Sequence, residues 1–194
     1  MKFYFDGCSN TWGVECKDHE VNRYSKLVSD HFGAEEYNIA QRGGSDKRMM
    51  RNLLETDLEQ YDYVIVQLTC KNRTEFWGEG KWKQLNIYKW GEKEKWMRQL
   101  NDNEKFFWLN YWKYVYSDKL GNINQLTYYH AMKNVLKDKK HLIIGISGWG
   151  QDIQAPVDIN FNHIDYQTAR GGHPNKEGHE RIAEEIIKYI ENQK

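Results

Sequence analysis

A serine that could act as a nucleophile follows the first apolar segment of the chain. Ser9 lies in the stretch 6–13, DGCSNTWG, directly after residues 2–5, which are predicted to form a strand. Gly7 permits a sharp turn there, and a serine at a strand-to-helix turn can expose its Oγ and lend its backbone N–H to an oxyanion site. The alternative interpretation is a Ser/Asn turn that only caps the next helix.

Two glycine-rich stretches carry residues that could assist such a nucleophile. Gly43 and Gly44 precede a helical pattern, and unpaired N–H groups at a helix start can bind an oxyanion, although plain turn chemistry is the alternative. His173 stands in the glycine-rich loop that opens the last helix, and Pro174 follows it near the helix start. A histidine in such a loop is less expected to be a core residue than His179, which lies within the helix.

Alternating strand and helix patterns predict how these residues come together. Short apolar runs, such as residues 64–66, are typical of parallel strands that are covered on both faces. This alternation predicts an α/β domain with a central parallel sheet of about five strands and helices on both sides. The loops that carry Ser9, Gly43 and His173 then converge at one edge of the sheet. Strands are predicted at residues 2–5, 35–39, 63–68, 105–109 and 141–146, and helices at 21–31, 46–59, 123–137 and from about 175.

Length and composition limit the class of protein. The 194 residues suit one domain, 1–194, and 28 basic against 28 acidic residues leave no net charge that would attract nucleic acid or an anionic membrane. No apolar run approaches the roughly 18–20 residues that span a bilayer. A strand at residue 2 leaves no room for a signal peptide, so a cytoplasmic protein is expected. The three cysteines lack metal-ligand spacing, which fits reduced thiols.

An aromatic insertion is predicted between the third and fourth strands, at about residues 73–103. Six of the eight tryptophans fall between Trp77 and Trp112. A connection of this length exceeds an ordinary loop and could form a wall or lid over the site. Trp77 and Trp82 are candidates for stacking against a sugar ring, and a small satellite core is the alternative.

Three groups of residues resemble blocks I, II and V of the SGNH (GDSL-like) hydrolases, in the order of that family. The Gly-Cys-Ser form of block I resembles the small variants found in bacteriophage genomes, which implies a phage-encoded protein. The resemblance implies a flavodoxin-like three-layer α/β/α fold and serine esterase, lipase or carbohydrate deacetylase activity. The residues are Gly7-Cys8-Ser9-Asn10, Asn38 with Gly43-Gly44-Ser45, and His173-Pro174-Asn175 with Gly178-His179 and Ile182-Ala183.

The resemblance also implies roles for single residues. Ser9 would be the nucleophile and His173 the general base, and the N–H groups of Ser9 and Gly43 would be oxyanion donors. The family's third donor is an asparagine after strand 3. Counting from the strand places Lys71 there, and Asn72, one residue later, is the candidate.

The acid that orients the histidine has no residue at the family's position. The family carries it three residues before the histidine, where this chain has Arg170. Asp165 is the candidate third member, and Asp158 is an alternative upstream carboxylate. A backbone carbonyl could also hold the imidazole, because the ring needs an acceptor that fixes its tautomer.

The sequence therefore predicts a serine esterase that hydrolyses a small acyl ester, such as an acetyl group on a glycan, without a cofactor. The expected partner is a small acyl-ester or acylated glycan substrate, with no nucleic acid and no membrane. One alternative is an inactive SGNH-fold domain that binds a ligand or belongs to a virion. A nucleotide-binding flavodoxin-like protein is another, although the GxxxxGK(S/T) sequence is absent. No metal site is expected, because no established ligand pattern matches the spacing of His163, Asp165, His173 and His179.

Overall fold

The structure, a computed structural model, describes residues 1–86, 97–147, 153–162 and 166–193. The predicted helices are present, and the first of them is divided at Arg23. A 3₁₀ turn, Leu58–Gln60, leads into the third strand. In chain order the elements are β1 (Lys2–Asp6), α1 (Ser9–Trp12), α2 (His19–Asn22), α3 (Tyr24–His31), β2 (Glu35–Asn38), α4 (Asp46–Glu55), β3 (Tyr63–Leu68), β4 (Arg73–Gly78), β5 (Lys81–Asn86), α5 (Asp102–Tyr114), α6 (Asp118–Val135), β6 (His141–Ile146), β7 (Ile159–Phe161) and α7 (Lys176–Glu191).

Five parallel strands form the central sheet, in the order β2-β1-β3-β6-β7. Side chains alternate between the two faces along each strand, so Phe3 and Phe5 pack with α3 and α7, while Tyr4 packs with α4 and α6. Each fully buried side chain of these two cores contributes roughly 1.5–3 kcal/mol to stability. Helices on both faces of the sheet confirm the predicted three-layer α/β/α fold.

The order of the strands creates a crevice at one edge of the sheet. From β1 the chain crosses to β2 on one side and then returns to β3 on the other side of β1. Loops at the carboxyl ends of β1 and β3 therefore leave the sheet in opposite directions, and open α/β sheets bind ligands at such a point. Ser9 follows β1 and Thr69 follows β3, so the sheet places both residues at this crevice.

The prediction of a strand at residues 105–109 is wrong, because these residues lie in α5. This helix begins with a capping box, in which Asn101 Oδ1 accepts from the Glu104 N–H at 2.9 Å and Glu104 Oε2 accepts from the Asn101 N–H at 3.0 Å. A short apolar run has no period that separates a helix from a strand, and here the cap decides the structure. The fifth strand is instead β7, which has three residues.

The region predicted as an insertion begins with an antiparallel hairpin formed by β4 and β5. On one side, the buried Lys83 ammonium contacts Glu104 of α5 at 2.6 Å. On the other side, Glu75 accepts a hydrogen bond from Arg51 of α4 at 2.8 Å. These contacts hold the hairpin between the two helices. The described part of this region does not include Trp90 and Trp96.

Candidate active site

The turn after β1 presents Ser9 as the first residue of α1. Gly7 is required at this turn, because a Cβ there would lie 2.1 Å from Thr11 Oγ1. The buried side chain of Gln67 in β3 ties the turn to the sheet. Its Oε1 accepts from the N–H of Cys8 at 3.2 Å and from Thr11 Oγ1 at 2.8 Å. The backbone that carries Ser9 is therefore fixed by its neighbours on both sides.

A buried ion pair fixes α4 against the end of β1. Asp6 accepts from Arg48 Nη1 at 2.7 Å, from Asn52 Nδ2 at 2.8 Å and from the N–H of Gly7 at 2.7 Å. Removing one partner of such a pair costs about 3–5 kcal/mol, because it leaves the other charge buried alone. The loop that leads into α4 is thus held in place beside the Ser9 turn.

That loop carries Gly43, which has a positive φ of 75°. The N–H of Gln41 donates to the Gly7 carbonyl at 3.2 Å, and a Cβ on Gly44 would lie 2.8 Å from the same oxygen. Glycine is therefore needed at position 44, because a side chain there would keep this loop away from the turn that carries Ser9. Among the described residues, neither the Ser9 N–H nor the Gly43 N–H donates to a protein acceptor.

His173 projects from a tight turn just before α7. The N–H of Ala169 donates to the His173 carbonyl at 2.8 Å, and Gly172, with a φ of 81°, closes the turn. Asn175 then caps α7 by accepting from the N–H of Gly178 at 2.8 Å. This combination of turn and cap directs the imidazole toward the Ser9 loop.

Two hydrogen bonds connect a hydroxyl, an imidazole and a carboxylate. Ser9 Oγ lies 3.0 Å from His173 Nε2, and His173 Nδ1 lies 2.8 Å from Glu15 Oε2. Ser9 is 7% exposed, and the His173 side chain is 28% exposed, so the site opens to solvent on the side of the imidazole. A hydroxyl, an imidazole and a carboxylate are therefore joined by consecutive hydrogen bonds, an arrangement that can activate a serine.

Glu15 is held by the same turn that carries His173. Its carboxylate also accepts from the N–H groups of Gly171 at 2.9 Å and His173 at 3.4 Å. Partial burial opposes its ionisation, but the hydrogen bonds from His173 and Gly171 outweigh burial and lower the pKa of Glu15. A φ of 65° places Glu15 in the left-handed region, where a residue other than glycine costs of order 1–3 kcal/mol.

Glu15 was not among the residues that the sequence singled out. Asp165 lies outside the described residues. The carboxylate of Asp158 accepts from the N–H of Ile143 at 2.8 Å and from Lys133 at 3.4 Å, so it belongs to the β6 edge. No local motif marks Glu15, although a carboxylate in the loop that follows α1, the short helix that begins at Ser9, could have been considered as a candidate.

Asn72 lies in the loop after β3, on the wall of a cavity of about 240 Å³. The described lining residues of this cavity include Lys71 and Arg73 but neither Ser9 nor His173. The cavity is at the same edge of the sheet, since it is lined by the start of α4 and by residues that follow β3. The proposed role of Asn72 as an oxyanion donor stays a prediction.

Trp77 and Trp82 form a cross-strand pair on the hairpin, with ring centroids 5.4 Å apart. They are 60% and 39% exposed, and the Arg51 guanidinium lies 4.6 Å from the Trp82 ring. Arg51 stands in the second turn of α4, away from the loop that carries Gly43. Neither ring is among the residues that line the cavity, and substrate binding by this pair stays a prediction.

His179 is completely buried, unlike His173. Its Nδ1 accepts a hydrogen bond from the N–H of Tyr24 at 3.2 Å. Burial lowers the pKa of His179 to about 4, with smaller contributions from the charges of His173 and Arg23. The ring is therefore neutral near pH 7 and belongs to the packing between α3 and α7.

Acidification should destabilise the protein through His179. A histidine has a pKa near 6.5 in the unfolded chain, so the unfolded state binds more protons between about pH 6.5 and pH 4. The free energy of unfolding then falls as the pH drops through this window, by up to about 3 kcal/mol. Urea unfolding at pH 7 and pH 4.5 measures this loss. His179→Gln keeps an acceptor for Tyr24 and should lose less stability than the wild type, and equal losses would contradict this assignment.

Two features can be excluded for the part of the chain that the structure describes. Groups of three or more His, Cys, Asp or Glu side chains placed to hold a metal ion are absent from it. His163 and Asp165 lie outside the described residues. The helices within the described ranges are too short or too polar to cross a membrane.

Comparison with known proteins gives matches among solved structures only, since no family model and no curated protein matches the chain. An acetyl xylan esterase from the rumen bacterium Butyrivibrio proteoclasticus is 13% identical with a TM-score of 0.54, and the match covers 99% of this chain and 64% of that one. A protein named for the G-D-S-L family of lipolytic proteins, from Desulfitobacterium hafniense, is 11% identical with a TM-score of 0.51, over 96% and 98% of the two chains.

A family two carbohydrate esterase from Clostridium thermocellum, solved in complex with cellohexaose, is 15% identical with a TM-score of 0.52. That match covers 99% of this chain and 64% of the esterase. The chain thus spans less than two thirds of the two carbohydrate-directed esterases. Identities this low show the fold alone. These matches and the strand order show that the chain has the three-layer α/β/α fold that these solved proteins share.

Proposed function

We propose that the chain is a serine esterase in which Ser9 is the nucleophile, His173 the general base and Glu15 the carboxylate that orients the base. The observation that supports this proposal is the pair of hydrogen bonds, 3.0 Å and 2.8 Å, that joins the three side chains. A hydroxyl, an imidazole and an acceptor on the far nitrogen are the groups that acyl transfer requires. Glu15 takes the role for which the sequence suggested Asp165.

The proton movements follow from which ring nitrogen each partner contacts. Glu15 holds the proton on Nδ1, so the lone pair of Nε2 faces the Ser9 hydroxyl. His173 takes the hydroxyl proton as Oγ attacks the ester carbonyl carbon, and it then gives this proton to the leaving alcohol. A water molecule, deprotonated by the same nitrogen, hydrolyses the acyl-enzyme and regenerates Ser9.

The N–H groups of Ser9 and Gly43 are the proposed oxyanion donors. Neither group donates to an acceptor in the described part of the chain, and the Gln41–Gly7 hydrogen bond keeps their two loops together. Donors fixed in advance stabilise the negative charge that develops on the carbonyl oxygen during attack. We assign Asn72 as the third donor, because it follows β3 at the same edge of the sheet.

Asn72→Ala should lower kcat by about 10²- to 10³-fold with little change in KM, because an oxyanion donor acts mainly on the transition state. Steady-state kinetics with p-nitrophenyl acetate separates the two constants. A raised KM with unchanged kcat would instead make Asn72 a substrate-binding residue of the adjoining cavity.

A small acyl group, acetyl in particular, on a glycan is the proposed substrate. Two proteins with this fold support it by their described activities, the acetyl xylan esterase and the carbohydrate esterase solved with cellohexaose. Release of acetate from acetylated xylan, and hydrolysis of p-nitrophenyl acetate, test the substrate class and the reaction separately. Each assay is run with the wild type and with Ser9→Ala.

An inactive ligand-binding domain is the alternative that the sequence leaves open. It depends on Arg170 standing where the family has its acid. The Glu15 carboxylate on His173 Nδ1 supports the enzyme instead, because it supplies the missing acceptor. Equal background rates for the wild type and Ser9→Ala on several acetyl esters would favour the binding domain.

A further inference from the structure

The cavity of about 240 Å³ beside β3 carries an unusual set of charges. Three cationic side chains line it, Lys47, Lys71 and Arg73, and Asp46 is the one carboxyl group among its described lining residues. The contacts among Ser9, His173 and Glu15 involve none of these four residues. The charged residues of the cavity are therefore different from the residues of the candidate active site.

Two of the cationic side chains donate hydrogen bonds to uncharged oxygen atoms. Lys47 Nζ donates to the Glu75 carbonyl at 2.9 Å, and Arg73 Nη1 donates to Thr69 Oγ1 at 2.7 Å. The Nε of Arg73 is buried and has no hydrogen-bond partner among the described residues. A buried donor without a partner is costly, and it shows that the guanidinium is not fully paired within the described part of the chain.

Two carboxyl groups lie near the cations, and neither balances their charge. Lys71 approaches Asp118 at 3.5 Å, but that side chain is 86% exposed, so solvent screens the pair. Asp46 is buried and accepts from the N–H of Thr69 at 2.8 Å. Burial raises the pKa of Asp46 to about 7, against the lowering effects of Thr69, Gln125 and Arg73. Among the described lining residues, three cationic side chains therefore face a single buried carboxyl group.

Another part of the cavity wall is aromatic. Trp108 and Tyr111 meet edge to face with centroids 5.4 Å apart, and both belong to α5. Amphipathic rings of this kind cover the faces of flat or ring-shaped ligands while leaving polar edges free. The volume is below the roughly 300–1,000 Å³ of drug-sized pockets, which suits one sugar ring rather than a chain. The aromatic lining residues are Phe107, Trp108, Tyr111, Tyr116 and Tyr128.

Arg73 connects this cavity to the candidate nucleophile. Burial by itself would raise the pKa of the Cys8 thiol, but the Arg73 guanidinium is the strongest of the groups that lower it. The Cys8 thiol lies 3.8 Å from Ser9 Oγ. Because the Arg73 side chain also hydrogen-bonds to Cys8, Cys8 lies between this wall of the cavity and the Ser9 hydroxyl.

We propose that this cavity binds one anionic sugar ring of the substrate, a uronic acid or a sugar phosphate, next to the ester that Ser9 attacks. Guanidinium and ammonium groups pair with carboxylate and phosphate oxygens alike, and the aromatic wall covers the ring. The position of the ester rests on the proposed esterase function. The binding of the anionic ring does not depend on turnover.

Titration calorimetry with the Ser9→Ala protein tests binding apart from catalysis. The probes are galacturonate, glucose 6-phosphate, galactose and acetate. Galacturonate or glucose 6-phosphate should bind at least about tenfold more tightly than galactose or acetate, because only these two combine a ring with a charge. Whichever of the two binds more tightly identifies the anion as carboxylate or phosphate. Galactose or acetate binding as tightly as both would overturn the proposal.

Lysine-to-glutamine variants test whether the anion binds in the cavity. Lys47→Gln keeps a donor for the Glu75 carbonyl but removes the charge, and it should weaken anion binding about tenfold; Lys71→Gln is an independent second variant. Lys188→Gln removes the same charge from an exposed position on α7 and should have no effect. Unchanged affinity in both cavity variants would overturn the proposal. Anion binding without ester hydrolysis would refute the proposed function alone, and hydrolysis without an anion preference would refute the subsite alone.

Discussion

Replacing Ser9 or His173 by alanine should reduce kcat on an acetyl ester by about 10⁴- to 10⁶-fold. Replacement of triad residues in well-studied serine hydrolases causes losses of this size. Without Ser9 there is no acyl-enzyme, and without His173 the imidazole that takes the hydroxyl proton is lost. Because the three side chains act as a unit, Ser9→Ala and the Ser9→Ala/His173→Ala double variant should be similarly slow. Hydrolysis of p-nitrophenyl acetate measures all of these rates.

A matched control is needed because Cys8 precedes the proposed nucleophile and its thiol lies 3.8 Å from Ser9 Oγ. Cys8→Ala should keep most of the activity, and circular dichroism should show that every variant is folded. Loss of activity in Cys8→Ala with full activity in Ser9→Ala would mean that the thiol is the nucleophile.

Glu15→Gln should reduce kcat by about 10³- to 10⁴-fold while leaving the fold intact. The amide can donate as well as accept, so it no longer fixes the proton on His173 Nδ1, and the imidazole can take the wrong tautomer. It also cannot stabilise the imidazolium that forms when the Ser9 proton is transferred. Steady-state kinetics at pH 7.5 measures the loss, with KM expected to change little.

Two carboxylates provide the comparison for Glu15. Asp165→Asn tests the residue that the sequence favoured, and Glu20→Gln removes a nearby exposed charge on α2. Both variants should retain near wild-type kcat. A large loss in Asp165→Asn together with an active Glu15→Gln would transfer the orienting role to Asp165.

The central strands of the sheet could be predicted because they are buried on both faces. The apolar runs at residues 63–68 and 141–146 are too short for buried helices, and both are strands in the structure. The run at 105–109 is also short and largely apolar, but it lies in α5, which begins at the capping box of Asn101 and Glu104. Strand β7 has only three residues, which is too few for a pattern of apolar and polar residues to indicate a strand in the sequence.

The candidate site could be predicted in part. Ser9, Gly43 and His173 stand in local patterns, since each lies in a glycine-containing turn beside a helix start. Glu15 stands in no such pattern, because its contact with His173 joins residues 158 positions apart in the chain. Its position depends on a left-handed backbone conformation that residue type does not reveal, since glutamate rarely adopts it.

The sequence did not indicate which aromatic side chains line the cavity. Trp77 and Trp82 attract attention by their type and spacing, yet they pair with each other and with Arg51 on the hairpin. The rings that line the cavity beside β3 include Trp108 and Tyr111 instead. Which ring faces a cavity depends on how α5 packs, and α5 was itself predicted as a strand.

The central claim, that His173 activates Ser9 as a nucleophile, is tested most directly by covalent labelling. The wild type is treated with a fluorophosphonate, and the adduct is located by fragmentation mass spectrometry of the peptide that contains both Cys8 and Ser9. We expect one adduct on Ser9, the same adduct in Cys8→Ala, and none in His173→Ala. An adduct on Cys8, or labelling of Ser9 that persists at full rate in His173→Ala, would contradict the claim.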